Sequence, residues 1–273
     1  MFVDNTCEDI KLAPTILLWS KKWETIGDIV SIKYDKNIQN FVIAQKQAKL
    51  TIIGKNGNLV KSCTTSLKQI DHMDLLDRGI CAIAAKEDNK IVFFNWQDER
   101  LHKTISLTST SQASESHQVA DMETFKALDG KIWIGFTDGS LKIYDYDRSE
   151  EIVFSSQTLL EGPIRDFEIG PNGGSMVVFG DNEIAVLDKN SYEKLVVIRN
   201  ENSGTGQSSC KGIVTKSEII YNTNDNKTIG IWDFGNSEIK RSKRTPSEIL
   251  CMALGAQGEL ITTHADGFAR IWN

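Results

Sequence analysis

A single phrase recurs along the chain and constrains the fold more than any other feature of the sequence. It consists of a β-rich run, a turn containing Asp, and a second β-rich run that ends in an apolar or aromatic residue followed by a small or polar one. The clearest copy is Lys131-Ile132-Trp133-Ile134-Gly135-Phe136, then Thr137-Asp138-Gly139, then Ser140-Leu141-Lys142-Ile143-Tyr144. It returns as Glu259 to Thr263, Asp266-Gly267 and Ala269 to Trp272, and as Glu218 to Tyr221, Asp225-Asn226 and Ile229 to Asp233. Asp-Gly between two such runs supplies the positive φ angles of a tight hairpin turn. The closing dipeptides are Trp19-Ser20, Ile53-Gly54, Phe94-Asn95, Tyr144-Asp145, Leu187-Asp188, Trp232-Asp233 and Trp272-Asn273, at intervals of 34, 41, 50, 43, 45 and 40 residues. A second column, the turn Asp, holds Asp88, Asp138, Asp181, Asp225 and Asp266, with Ala48 out of pattern.

The runs themselves read as strands. The chain has 4 prolines, and its short Val/Ile/Phe/Trp-rich runs are bounded by Gly, Asn, Asp or Lys, with almost no window keeping a helical apolar spacing. A further strand precedes each hairpin, as at Ile29 to Ile32 or Ile164 to Ile169, and another follows it, as at Glu151 to Phe154 or Lys194 to Ile198. Each unit therefore carries four strands. Such a unit cannot bury both faces alone, so units must stack, each covering the next.

These residues resemble the WD-repeat β-propeller family, whose repeats run about 40 to 45 residues and end in Trp-Asp. The resemblance covers nearly the whole chain and is strongest at Ile229 to Asp233, Leu141 to Asp145 and Phe268 to Asn273. The family's Gly-His dipeptide is absent; Ser116-His117 stands nearest to it. The implied fold is an all-β propeller of six or seven blades of four antiparallel strands, a single domain over residues 1–273. Because Trp272-Asn273 falls at a third strand, the resemblance implies a ring closed by an N-terminal strand, with Trp23 to Ile26 placed to supply it. Residues 1–27 could instead form an abbreviated first blade around Trp19-Ser20. In the family the turn Asp accepts hydrogen bonds from the neighbouring inter-blade loop, and His117 with Asp138 keeps both halves of that arrangement.

Composition narrows the function. With 31 Lys and Arg against 37 Asp and Glu the net charge is −6, which argues against general nucleic-acid binding, since counterion release needs concentrated cations. The apolar stretches fall far short of a bilayer span of about 20 residues, and Met1 to Asp9 lacks the pattern of a secretory signal. Five cysteines, Cys7, Cys63, Cys81, Cys210 and Cys251, are odd in number and never in a C-x-x-C pair, so a disulfide framework is not expected. The expected location is the cytoplasm, the nucleus or both.

Catalytic motifs are missing. The sequence has no G-x-S-x-G, H-E-x-x-H or G-x-x-x-x-G-K-[ST], and Gly204-Thr205-Gly206 has no helical pattern behind it to make a phosphate cradle. The 4 histidines, His72, His102, His117 and His264, are too scattered to read as a metal site. No enzyme, cofactor or metal is expected. A residue that recurs at one turn per unit does the same work each time, so the Asp column reads as structural turn capping. The hydroxyl-rich stretch Ser106 to Ser116 reads as an exposed loop open to phosphorylation. Lys240-Arg241-Ser242-Lys243-Arg244 reads as a basic inter-blade loop in an acidic chain.

The leading expectation is an interaction scaffold or subunit of a multiprotein complex. Its partners would be proteins or peptides, acidic or phosphorylated, held by a patch formed from Arg165, Lys240, Arg241, Lys243 and Arg244, since guanidinium groups make paired bonds to carboxylate and phosphate. Membrane-lipid recognition is not expected, because the paired-arginine motif of phosphoinositide-binding propellers is absent. Two alternatives remain open at this stage. One is a small-ligand or enzymatic propeller using Asp28, Arg165, Asp166, Lys211 and Glu248 in a central channel; the other is a regulatory domain of a larger signalling protein.

Overall fold

The structure is a computed structural model, and it describes residues 8–10, 27–76, 79–107, 120–146, 152–156, 158–181, 183–199, 212–222, 226–255 and 258–272. A short strand β1 (Glu8–Ile10) is followed by β2 (Ile29–Asp35), β3 (Asn40–Gln45), β4 (Lys49–Gly54) and β5 (Leu59–Thr64), which pair in that order as sheet 1. Sheet 2 is β6 (His72–Leu75), β7 (Ile80–Ala85), β8 (Lys90–Asn95) and β9 (Arg100–Ser106); sheet 3 is β10 (Met122–Leu128), β11 (Lys131–Phe136), β12 (Leu141–Asp145) and β13 (Ile152–Ser156). Sheet 4 is β14 (Ile164–Ile169), β15 (Ser175–Gly180), β16 (Glu183–Asp188) and β17 (Lys194–Arg199); sheet 5 is β18 (Gly212–Val214), β19 (Glu218–Asn222), β20 (Thr228–Asp233) and β21 (Glu238–Arg244). In sheet 6, β22 (Ile249–Leu254), β23 (Leu260–His264) and β24 (Ala269–Trp272) are completed by β1. Among the described residues the one helical element is a single 3-10 turn at Pro171–Gly173.

The described residues thus form six four-stranded antiparallel sheets, one for each closing dipeptide from Ile53-Gly54 onward. Trp19-Ser20, the seventh member of that column, lies outside the described residues. The strand that completes sheet 6 comes from the N-terminal region, with Glu8 opposite Ile271 and Ile10 opposite Ala269. The segment proposed for this from sequence, Trp23 to Ile26, lies outside the described residues.

The strands fall into two compact units, one holding β2 to β13 and the other β14 to β24 together with β1 and the Asp138–Leu141 turn. Within each unit the core lies between successive sheets. The second and third strands of a sheet are buried on both faces, so they read as unbroken apolar runs instead of alternating: all six residues of β7, Ile-Cys-Ala-Ile-Ala-Ala, are buried. One cluster joins Val42, Leu50 and Ile52 of sheet 1 to Cys81, Ile83 and Phe94 of sheet 2; another joins Ala84 and Phe93 to Phe125 and Ile134 of sheet 3. In the other unit, Val177, Phe179 and Val186 pack on Ile219, Tyr221 and Trp232.

The recurring dipeptide has a local cause. Its second residue closes the hairpin to the fourth strand: Asn95 Oδ1 accepts the N–H groups of Gln97 and Asp98, Asp188 Oδ1 those of Asn190 and Ser191, and Asp233 Oδ1 those of Gly235 and Asn236. These are Asx turns, in which the side chain takes the place of a backbone acceptor. Just before the dipeptide the ladder shifts register, between Ile52 and Ile53, Phe93 and Phe94, Val186 and Leu187, and Ile231 and Trp232. A bulge at that point raises the local twist, so the outer strand leans away and carries little of the apolar load.

Candidate interaction surface

The turn Asp residues share a position but not a set of partners. Asp88 accepts the Lys68 N–H at 3.5 Å and lies 4.0 Å from Lys68 Nζ and 3.8 Å from Lys90 Nζ, so it reaches the segment between β5 and β6. Asp138 is exposed and accepts the Ser140 N–H at 2.9 Å within its own turn. Asp181 holds Arg165 through Nε at 2.6 Å and a terminal nitrogen at 3.0 Å. Asp266 holds Arg270 in a fork at 3.2 and 2.8 Å and also accepts the Phe268 N–H. Asp225 and His117 lie outside the described residues.

Ala48 does not occupy the Asp slot. The residue after the turn Asp has positive φ in sheets 2, 3 and 6, at Asn89 (46°), Gly139 (79°) and Gly267 (82°), and Ala48 at 59° belongs with them. Gln47 therefore stands where the Asp would be. Counting back from the closing dipeptide gives the same slot, since Gln47 stands six residues before Ile53 as Asp88, Asp138 and Asp266 stand six before Phe94, Tyr144 and Trp272. Gly139 meets two demands at once: a Cβ there would collide with the Leu160 carbonyl oxygen, and its own carbonyl accepts the Leu159 and Leu160 N–H groups.

The basic run is a strand, not a loop. Lys240, Arg241, Lys243 and Arg244 lie in β21, the outermost strand of sheet 5, with Lys243 opposite Ile229 and Arg244 opposite Thr228. An outer strand packs weakly, which leaves its polar run with no apolar alternation to betray it in the sequence. Lys240 is consumed within the sheet, its Nζ lying 3.0 Å from Glu218 Oε1 and 3.2 Å from Asp233 Oδ2. The bond to Glu218, and then that to Asp233, holds the Lys240 ammonium above its ordinary pKa; the Lys240 bond and the Gly235 and Asn236 N–H groups hold the Asp233 carboxyl below its own. Lys243 and Arg244 are exposed and make no ion pair among the described residues.

Arg165 does not join them. It sits in β14, the first strand of sheet 4, with its guanidinium against Asp181, and β14 packs beside β18, the first strand of sheet 5. From β18 to β21 there are three inter-strand spacings, about 14 Å. The sequence-level patch is therefore two separate places.

Other charged and polar groups were not legible beforehand. Asp74 in β6 accepts Lys33 Nζ of β2 at 3.0 Å and the Ala127 N–H of β10 at 2.9 Å, linking the first strands of three sheets. In sheet 6 a buried chain of bonds runs from Trp272 Nε1 to Thr262 Oγ1 (2.8 Å), on to His264 Nε2 (2.7 Å), and from His264 Nδ1 to the Ser247 carbonyl (3.0 Å). A carbonyl only accepts, so Nδ1 carries the imidazole proton and Nε2 accepts from the Thr262 hydroxyl. The sequence did hold a signal: Gln45, Asn222 and His264, all buried, are each the last residue of a second strand. Burial pushes the Cys63 thiol up to about 11 and raises that of Cys81 as well, so neither is poised as a nucleophile. Of the channel residues, Asp166 accepts its neighbour's N–H from Phe167, Asp28 and Glu248 are exposed, and Lys211 lies outside the described residues. No group of three or more His, Cys, Asp or Glu among the described residues could hold a metal ion.

No protein-family model matches the chain, and no curated protein matches it in sequence. Solved structures do match. A chain in the crystal structure of the Mitotic Checkpoint Complex aligns with a TM-score of 0.70 at 12% identity, over 91% of this chain and 75% of that one. The WD40 beta propeller domain of Doa1 aligns with a TM-score of 0.64 at 14% identity, over 90% of this chain and 78% of that domain. The chain has the fold of a WD40 β-propeller, with six four-stranded blades.

Proposed function

We propose that this protein is a non-enzymatic interaction scaffold, a propeller that presents its strands and turns to protein partners as a subunit of a larger assembly. The observation that carries the reading is the likeness to a chain that is itself part of a multiprotein complex. The reading extends to acidic or phosphorylated segments as partners, for which the exposed Lys243 and Arg244 offer the charge, and to the cytoplasm or nucleus as the setting. Tagged protein isolated at native abundance, cross-linked and sized, should run well above its own 30.5 kDa with a stoichiometric partner. A monomer with no partner after cross-linking would overturn the scaffold reading.

A further inference from the structure

The outer strands of the sheets differ in what they do with their cations. Lys61 of β5 reaches Glu99 at 2.9 Å and the Gln97 carbonyl at 2.8 Å. Lys103 of β9 donates to the Tyr146 carbonyl and lies over the Phe93 and Tyr146 rings. Lys194 of β17 donates to the Leu159 carbonyl, and Arg199 faces Glu183 at 3.8 Å. The three lysines spend their charge inside the molecule, and Arg199, though 73% exposed, stands against a carboxylate. β21 is different: after Lys240 has been taken by Glu218 and Asp233, Lys243 and Arg244 remain as adjacent, exposed cations. Arg100, at the start of β9, is exposed but has no cation beside it.

β21 is also open on one side. It is the last strand of its sheet, and among the described residues nothing pairs with its outer edge. At seven residues it is as long as any strand in the structure. Ile239, near its start, is 55% exposed. An open edge offers a row of backbone donors and acceptors that only another extended peptide backbone can match. Consecutive residues of a strand point to opposite faces, so Lys243 and Arg244 would meet a pairing strand from both sides.

We infer that β21 takes an extended acidic peptide from a partner protein as a fifth strand of sheet 5, with consecutive acidic residues opposite Lys243 and Arg244 and an apolar residue opposite Ile239. This rests on the scaffold reading above and names one of its surfaces. Charge selects the partner, because a basic edge repels a second basic strand while it attracts an acidic one. The ladder gives direction and register. A chain whose net charge is −6 repels a long polyanion but can admit a short acidic strand at this basic edge.

The probe is a labelled synthetic peptide, Thr-Glu-Glu-Thr-Thr-Thr-Val-Thr, written so that antiparallel pairing sets its two Glu against Arg244 and Lys243 and its Val against Ile239. Binding to the full chain is followed by fluorescence anisotropy at two salt concentrations. The peptide should bind, more weakly at high salt, and Lys243→Glu with Arg244→Glu should cost about tenfold or more in affinity. A peptide with Lys-Lys in place of Glu-Glu should recover affinity for that double variant. The milder Lys243→Gln with Arg244→Gln, checked with the first by thermal melting, should lose part of the affinity. N-methylating alternate backbone nitrogens on the pairing edge should abolish binding. Equal binding of the N-methylated peptide would mean charge attraction without a strand and would overturn the inference, as would no binding of the acidic peptide or indifference to the double variant. If the native partner still co-purifies with the double variant, the edge site falls and the scaffold reading stands; if the wild-type chain has no partner, the scaffold reading falls.

Discussion

Sheet 6 and sheet 2 solve one packing problem with opposite chemistry. Aligned on their ladders, Thr262, His264, Arg270 and Trp272 of sheet 6 take the places of Ile83, Ala85, Val92 and Phe94 of sheet 2. All eight are buried. In sheet 2 the four are apolar and join one hydrophobic cluster. In sheet 6 they form two polar assemblies, the Trp272–Thr262–His264–Ser247 chain and the Arg270–Asp266 fork. The repeat fixes burial and shape at each position but not polarity. An apolar set tolerates the loss of one member as a local defect, whereas a buried polar set holds only while every donor and acceptor is matched. Sheet 6 should therefore be the more brittle of the two, in an order that its bonds dictate.

The largest effect is expected at Asp266. Arg270 is 3% exposed, and the carboxylate fork holds its guanidinium, which also draws the Asp266 pKa below the ordinary carboxylate value. Asp266→Ala should give the largest loss of stability among the variants considered, because it takes the carboxylate fork from a guanidinium that is itself buried. Denaturant unfolding at neutral pH measures it. A cost no greater than that of an exposed carboxylate would mean that Arg270 is held by its other neighbours.

Next comes the hydroxyl between Trp272 and His264. Thr262→Val keeps the shape and removes the hydroxyl, leaving the Trp272 N–H and His264 Nε2 buried without a match, at about 2 kcal/mol. The sharper test converts the chain to sheet 2's chemistry with Thr262→Ile, His264→Ala and Trp272→Phe together. The triple variant should lose less than the sum of its singles, because removing all partners leaves no orphan. Strict additivity would show that the three bonds do not act as a unit.

The same contrast explains what could be read from sequence. Sheets whose inner strands are apolar declare themselves by runs such as Ile80 to Ala85 and Lys131 to Phe136, and the closing dipeptides at Asn95, Asp188 and Asp233 mark their hairpins because an Asx turn needs a side-chain oxygen at that step. Polarity hides the rest. His264 looks like a stray histidine until the fold brings Ser247 to it, and Asp74 means nothing until β2 and β10 lie on either side of β6. β21 carries charge where an inner strand carries Val and Ile, so it reads as a loop. β1 has three residues, too few for any period, and its partner β24 lies at the far end of the chain. Arg165 and the basic run share a patch only if that run is an inter-blade loop beside the start of β14, and as the outermost strand β21 it lies on the far side of its sheet from β18.

Sheet 2 has its own polar exception, and pH is the way to probe it. His72, at the start of β6, has its pKa lowered first by burial and then by the Lys86 ammonium, against smaller opposing effects from Asp71 and Glu123; the Phe125 ring lies 6.3 Å away. Above the ordinary value of 6.5 the imidazole is neutral in both folded and unfolded chains, and its contribution to stability is fully present. As pH falls through that value the unfolded chain takes up a proton that the folded one refuses, so stability drops and continues to drop until the folded pKa is passed. The ceiling on this loss at about pH 5.5 is about 1.4 kcal/mol. Comparing urea midpoints of wild type and His72→Gln at about pH 7.5 and about pH 5.5 isolates it. The variant should lose less stability on acidification; parallel losses would place the sensitivity elsewhere.

The smallest effect is expected at Asp138, and it tests how far one column of the repeat implies one energy. Asp138 aligns with Asp266 and both carboxylates are exposed, yet among the described residues Asp138 meets no guanidinium and accepts one bond, from the Ser140 N–H two residues on. When Asp138 is replaced by Ala, water can reach that N–H, so no buried donor is orphaned and the cost should be about 0.5 kcal/mol. Asp138→Asn keeps the acceptor oxygen and should be neutral. The turn itself is secured by other means, through the positive φ of Gly139 and the bonds its carbonyl accepts from Leu159 and Leu160. If unfolding measurements instead give Asp138→Ala a cost near that of Asp266→Ala, the turn carboxylate holds up the sheet in both places and the contrast between sheets narrows to the Thr262–His264 chain. A cost near zero for Asp138 beside a large one for Asp266 would show that the column marks a position, and that the energy stored there depends on whether a buried cation has come to meet it.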